Sequence, residues 1–312
     1  MKRCLSLGLS LLLLCGCTSD TITDPPDHRT LGGMKHMKFL RTFLNYLQKM
    51  VLQGGFWAAL VLCCGLCFTS TGYMEENISY SILELLVRFP RERLLSGPDF
   101  SGLSQFLNGM GTYSLMFTPL VAAFPSIPLF CRERSSGSVR LLLPRCGLGR
   151  WLGGFQLAAM VSGGLVLLGG YALFGLMCLA LFPSPAACGA GEMVPMLLDS
   201  ARLTLAGSFL LGACSVLVAV LLCGICKNAC TILCGSFALL YAVSTTCSQL
   251  ILDLPQGVWS RVLTAVDPTA PFYLLRYLPP TNRDVALFQV GWACVCFLLL
   301  RWLMGRRLDL GQ

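Results

Sequence analysis

Six stretches of this 312-residue chain are each long and apolar enough to supply the roughly 20 residues that a helix needs to cross a bilayer's hydrocarbon core. They run approximately from Gly54 to Tyr73, Phe106 to Phe130, Leu152 to Phe182, Leu203 to Cys226, Ala229 to Leu252 and Val285 to Met304. A soluble core of this size would separate its Leu and Val with polar faces at helical or strand period; here the runs are polar only at their ends. Composition agrees, with 55% hydrophobic and 12% charged residues and a mean hydropathy of +0.71, against about a quarter charged in an average soluble domain. The expectation is an all-α polytopic membrane bundle of six transmembrane helices, built as one unit.

The connections between these stretches alternate in charge. The chain before the first, the connections after the second and fourth, and the chain after the last carry Lys38, Arg41, Lys49, Arg132, Arg134, Arg140, Arg145, Arg150, Lys227, Arg306 and Arg307. The first connection is acidic on balance, with Glu75, Glu76, Glu84 and Glu92 against Arg88, Arg91 and Arg93, and the third offers Glu192 and Asp199 before Arg202. By the positive-inside rule both ends of the bundle are expected in the cytoplasm. The formal net charge of +8 is thereby read as a topology signal beside apolar segments, and nucleic acid is not expected as a partner. The densest cluster, Phe130 to Trp151 (FCRERSSGSVRLLLPRCGLGRW), places five arginines and Glu133 in the second cytoplasmic connection.

Ahead of the first stretch, MKFLRTFLNYLQKMV repeats Phe39, Leu40, Phe43, Leu44, Leu47 and Val51 at helical spacing, with Lys38, Arg41, Asn45, Gln48 and Lys49 mostly elsewhere on the wheel. That pattern predicts an amphipathic helix lying in the membrane interface over residues 37–53. An amphipathic leading helix, six spans with both ends inside, and a second cytoplasmic connection of the form F-x-x-E-R-x-x-G (Phe130, Glu133, Arg134, Gly137) resembles the ABC-2 class of ATP-binding-cassette transporter permeases. The resemblance covers the chain from about Met37 onward. It implies that the elbow helix and the charged connection form the surface on which a cytosolic ATPase rides, with Arg132, Glu133, Arg134, Gly137, Arg140, Arg145 and Arg150 coupling to it. Polar handles of this kind belong outside lipid, since an arginine at mid-bilayer costs about 2.5–3.5 kcal/mol on insertion scales.

The chain is not expected to be its own motor or an enzyme. A Walker A loop needs Gly-Lys followed by Ser or Thr, and no lysine here follows a glycine. The two histidines, His28 and His36, precede the first main stretch, so Glu75-Glu76 has no downstream histidine with which to build a metal site. Of the 18 cysteines, Cys64 with Cys67 and the series Cys223, Cys226, Cys230 and Cys234 begin with CxxC spacing. Inside apolar helices such residues behave as small hydrophobes, and no metal or cofactor is expected. Only Cys188 sits clearly in an external connection, so no disulfide framework is implied.

Small residues and prolines indicate how the helices meet. Gly153-Gly154, Gly163-Gly164 and Gly169-Gly170 line the third stretch; Ala159 with Gly163, and Ser208 with Gly212 in the fourth, form small-xxx-small faces. Pro119, Pro125 and Pro128 should kink the second stretch just before the arginine cluster. The first external segment, SYSILELLVRFPRERLL, reads as amphipathic. The last, from Asp253 to Asp284, mixes Trp259, Phe272 and Tyr273 with prolines, as short interfacial or re-entrant helices do. Asn77-Ile78-Ser79 is formally a glycosylation sequon.

The leader MKRCLSLGLSLLLLCGC resembles a bacterial lipoprotein signal, with Cys17 as the lipidated residue. Such a signal would place Thr18 to Met50 outside and invert every later span against the positive-inside count. Translation from Met37 or Met34 resolves the conflict, so residues 1–36 are read as a signal-like or untranslated leader, 37–53 as the elbow helix and 54–312 as the permease domain. The expected function is the membrane-spanning subunit of an ABC exporter, a homo- or heterodimer in membrane lipid that works with a separate cytosolic ATPase. The alternatives are a non-transporting membrane scaffold or immunity protein, and an ion-coupled carrier. The carrier reading is weakened by the scarcity of carboxylates within the spans.

Overall fold

The computed structural model describes residues 30–76, 78–110, 112–139, 146–189, 191–253 and 282–309. Helix α1 (Thr30–Leu52) turns through 61° at Gln53 into α2 (Gly54–Phe68). A two-stranded antiparallel hairpin follows, β1 (Thr71–Glu75) and β2 (Ile78–Ser81), with Tyr73 opposite Tyr80 and Glu75 opposite Ile78. Short helices α3 (Ile82–Arg88), α4 (Arg91–Leu94) and α5 (Gly102–Gly109) lead into α6 (Thr112–Ala123) and α7 (Ser126–Ser135). The long elements are α8 (Leu148–Leu181), α9 (Val194–Cys223), α10 (Ala229–Asp253) and α11 (Asn282–Asp309).

Four helical segments among the described residues are long and apolar enough to cross a membrane: Leu115–Ser135, Leu148–Leu181, Gly191–Cys223 and Ala229–Cys247. Counting the bent pair Phe39–Leu52 and Gly54–Phe68 as one gives up to five. The described residues thus carry four to five of the six expected spans, in a chain that is mostly helical but adds one two-stranded hairpin. Within the expected stretch Gly54 to Tyr73, α2 stops at Phe68, 15 residues or about 22 Å long, so it covers the roughly 30 Å hydrocarbon thickness only together with α1. Thr69 then donates its hydroxyl to the Leu66 carbonyl at 2.8 Å, and Thr71, Tyr73 and Glu75 pair with β2. The sixth stretch, Val285 to Met304, falls within α11, whose side chains are described from 291 to 306. The long connection over 254–281 lies outside the described residues, as does the leader with Cys17.

Helix α8 is the centre of the bundle and packs on α1, α2, α5, α6, α7, α9 and α11. Its glycines set the spacing. A Cβ on Gly212 of α9 would lie 2.5 Å from the Gly163 carbonyl oxygen and 3.0 Å from the Gly164 Cα, so α8 and α9 touch backbone to backbone there. Gly153 and Gly154 receive α1 in the same way: Cβ atoms there would meet Phe39 at 3.3 Å and Thr42 at 3.0 Å. The face of α1 that is buried therefore runs through Tyr46 and Met50, with Phe39, Thr42 and Phe43 partly covered, while Leu40, expected on the apolar face, is 53% exposed.

The second stretch is broken where prolines predict it. Helix α6 carries Pro119 internally and ends at Ala123; Pro125 occupies the N-cap position of α7. Gln53, at the bend between α1 and α2, donates its amide to the Pro125 carbonyl, so the two interruptions face each other.

At the opposite end from the arginine cluster, the hairpin rests on α5. Gln105 and Asn108 both donate side-chain amides to the Gly72 carbonyl, at 3.3 and 3.1 Å. Tyr73, Tyr80, Phe89 and Phe100 form a ring cluster beneath it. Ser81 and Glu84 close a capping box on α3. The Ser81 backbone N–H and hydroxyl hold the Glu84 carboxyl below its usual range. Since the charged form is the one favoured, the contribution is lost as pH falls through that lowered pKa.

Candidate functional site

At the arginine-rich end, α7 runs out of the bundle and its last turn distributes three charges to three different environments. Arg132 points to solvent and is exposed. Glu133 is 9% exposed and turns inward, where it accepts the Tyr46 hydroxyl at 2.6 Å and Lys49 Nζ at 3.0 Å, both from α1. Arg134 reaches sideways and donates Nη1 to the Cys223 carbonyl at 2.8 Å and to the Cys226 carbonyl at 3.2 Å. It thereby supplies the C-terminus of α9 with donors for carbonyls that have no intrahelical partner, and with positive charge at the negative end of the helix.

The inward branch continues into α8. Trp151 Nε1 donates to the Tyr46 hydroxyl oxygen at 2.8 Å, so tryptophan, tyrosine and carboxylate form one directed chain, Trp151 to Tyr46 to Glu133. Beneath it lies an aromatic floor. Phe130 stacks on Trp151 at 5.9 Å, Phe155 meets Phe130 at 4.9 Å, and Tyr46 sets its edge against Phe155 at 5.4 Å. A carboxylate this far from water is tolerable because it is paired and hydrogen-bonded on both oxygens. Lys49 itself stays 46% exposed at the side chain, which keeps its ammonium hydrated while Glu133 is 11% exposed. The acid thus ties α1 and α7 to each other and, through Tyr46, to α8.

The serine-rich turn after α7 closes its end. Ser136 and Ser138 both donate hydroxyls to the Glu133 carbonyl, at 3.1 and 3.0 Å, and Ser135 donates to the Arg132 carbonyl at 3.0 Å. Gly137 stands at φ +71°, a left-handed conformation that β-carbons disfavour and that commonly terminates helices. The chain is described again from Cys146; Arg140 and Arg145 lie outside the described residues. Arg150, in the first turn of α8, is exposed and faces Arg301 of α11 across an open cavity.

Of the seven residues expected at a coupling surface, Glu133, Arg134 and Gly137 are brought together in one structured turn, and Arg132 and Arg150 are presented outward. Tyr46 and Trp151, which position Glu133, are absent from that set. Their signal in the sequence is faint: Tyr46 precedes Lys49 by one turn, and Trp151 reads as an interfacial belt residue next to Arg150. Among the described residues no group of three or more His, Cys, Asp or Glu is placed to hold a metal ion. No family model matches the chain, and no curated protein matches it.

The role of Arg134 can be isolated. Arg134→Ala is expected to free the carbonyls of Cys223 and Cys226 and to fray the last turn of α9, costing about 1–3 kcal/mol for a lost charged hydrogen-bond donor. Hydrogen exchange of the amides from Leu222 to Asn228 should accelerate selectively. Arg134→Lys should restore only part of the protection, because an ammonium lacks the guanidinium's fixed fork.

Proposed function

We propose that this chain is the membrane-spanning permease subunit of an ABC exporter of the ABC-2 class, moving its substrate with ATP hydrolysed by a separate cytosolic subunit. In this reading the arginine-rich end faces the cytosol, α1 serves as the elbow helix, and the subunit works as a dimer. The observation that carries the proposal is the tie centred on Glu133. One buried carboxylate at the foot of α7 holds α1 through Tyr46 and Lys49 and reaches α8 through Trp151, while its neighbour Arg134 holds the end of α9. A force applied to the exposed flank of this turn, at Arg132, is therefore passed to four helices at once. A topology signal alone has no need of that arrangement, since exposed arginines without internal partners would set orientation equally well.

The test is purification of the tagged full-length chain from its native membrane under mild solubilisation, followed by reconstitution in liposomes. The expected result is a stoichiometric nucleotide-binding subunit with Walker motifs and ATP hydrolysis that depends on both chains. Recovery of the chain in folded form without any ATPase, and with no rise in hydrolysis when candidate ATPases are added back, would point to the scaffold reading instead.

A further inference from the structure

A cavity of about 530 Å³ opens at the arginine-rich end between the first turn of α8 (Cys146–Arg150) and Phe297 and Arg301 of α11. Among the described residues, the charged side chains that line it are Arg150 and Arg301, both basic. Arg150 and Arg301 are exposed, and among the described residues neither meets a carboxylate. The Arg301 guanidinium lies against the helix backbone at Gly149, where a Cβ would stand 3.6 Å from its Nη1. The cap residue of α8 is Gly147, which offers no side-chain acceptor to the first-turn amides, so these add their own positive potential to that of the two arginines.

The depth of the cavity follows from helix length. The 34 residues of α8 span about 51 Å, more than the roughly 40–45 Å of a bilayer with its headgroups, so the terminal turns sit at or beyond headgroup level. Next to Arg301, Trp302 is 53% exposed and carries the Arg306 guanidinium 4.2 Å from its ring centroid, the amphipathic arrangement that marks a membrane–water boundary. Below that boundary α11 turns Val295 and Leu298 outward, 49% and 62% exposed, beside the half-buried Phe297. The cavity is thus basic at its mouth and continuous with an apolar helix face.

We propose that it binds the phosphate of an anionic phospholipid headgroup, with Arg150 and Arg301 clamping the phosphodiester and the acyl chains lying along α11. Basic pockets between membrane helices recognise acidic headgroups in this way, and the apolar face beside Phe297 favours a lipid over a free phosphate. The proposal needs only that these helices sit in a bilayer and is independent of the exporter reading. It is tested by native mass spectrometry of the purified full-length chain titrated with dioleoyl phosphatidylglycerol or dioleoyl phosphatidylcholine. The wild type should prefer phosphatidylglycerol, and Arg150→Gln with Arg301→Gln should weaken that lipid by at least about tenfold, the product of two basic side chains each contributing several-fold. Phosphatidylcholine binding should not change. The charge-matched pair Arg132→Gln with Lys227→Gln, both outside the cavity, should keep the wild-type preference. If the first pair does not fold, enrichment of phosphatidylglycerol retained by the wild type from mixed nanodiscs decides the matter. Equal retention of the two lipids overturns the proposal, and displacement of phosphatidylglycerol by millimolar inorganic phosphate overturns it in favour of a free-phosphate site.

Discussion

In the permease proposed above, replacing Glu133 by Ala is expected to leave the amount of chain in the membrane unchanged while reducing transport-coupled ATP hydrolysis by at least about tenfold. Insertion is insensitive because the change lies at a helix end with several other arginines to set orientation. Coupling is sensitive because the substitution removes the acceptor of both Tyr46 and Lys49. Loss of a charged hydrogen-bond acceptor costs about 1.5–3 kcal/mol, and each 1.4 kcal/mol is a factor of ten in an equilibrium. The hydrogen bond left between the two segments is that of the Gln53 amide to the Pro125 carbonyl. Glu133→Gln separates charge from geometry: its amide oxygen can still accept from Tyr46, so an intermediate loss is expected. Tyr46→Phe should behave similarly, since it leaves the ring on Phe155 and deletes only the hydroxyl. The measurements are chain abundance in membranes and ATPase rate of the liposome-reconstituted complex. Wild-type coupled activity in the Glu133→Ala and Tyr46→Phe variants would remove the mechanical role from this network and leave the arginines as topology signals.

The second large effect is structural. Gly212→Leu is expected to destabilise the folded bundle by about 3 kcal/mol or more, because the new side chain must enter a place where a single Cβ already sits 2.5 Å from the Gly163 carbonyl. Gly212→Ala should cost less but still be measurable, since α9 would have to move away from α8 by a fraction of an ångström along a contact made of backbone. Gly291→Ala in α11 is the comparison, as a Cβ there meets nothing within 4 Å. Thermal unfolding of the detergent-solubilised variants ranks the three. Equal stability of Gly212→Leu and Gly291→Ala would show that α8 and α9 are not in register as described.

Much of this arrangement is legible in the sequence, and the parts that are not have identifiable causes. The glycine pairs of α8 and the Ser208–Gly212 face announce close packing, and they pack closely, because a small residue repeated every four positions has few other uses in an apolar helix. The break before the arginine cluster is written in Pro125. The hairpin is not legible, since Thr71–Glu75 and Ile78–Ser81 are short and each abuts an apolar run that extends the helical pattern through it. The seating of α1 is legible in part. Phe43, Leu47 and Val51 pack on the core as the pattern predicts, but Tyr46 and Met50 are buried deeper and Leu40 is exposed, because Gly153 and Gly154, about a hundred residues away, draw Phe39 and Thr42 against α8. The inward turn of Glu133 is likewise a tertiary fact. Nothing local distinguishes a carboxylate that meets solvent from one that finds Tyr46 and Trp151 waiting beneath it.

The pairing of Gln53 with Pro125 has a consequence for motion. From Tyr46 to Gln53 the chain of α1 runs one way, and from Pro125 to Glu133 the chain of α7 runs the other, each covering about 10–12 Å at 1.5 Å per residue. The two rods are pinned at both ends, by Gln53 to the Pro125 carbonyl at one and by Tyr46 and Lys49 to Glu133 at the other. A pair of rods fastened at both ends cannot slide lengthwise past each other without tearing a fastening, so these two segments shift together or not at all.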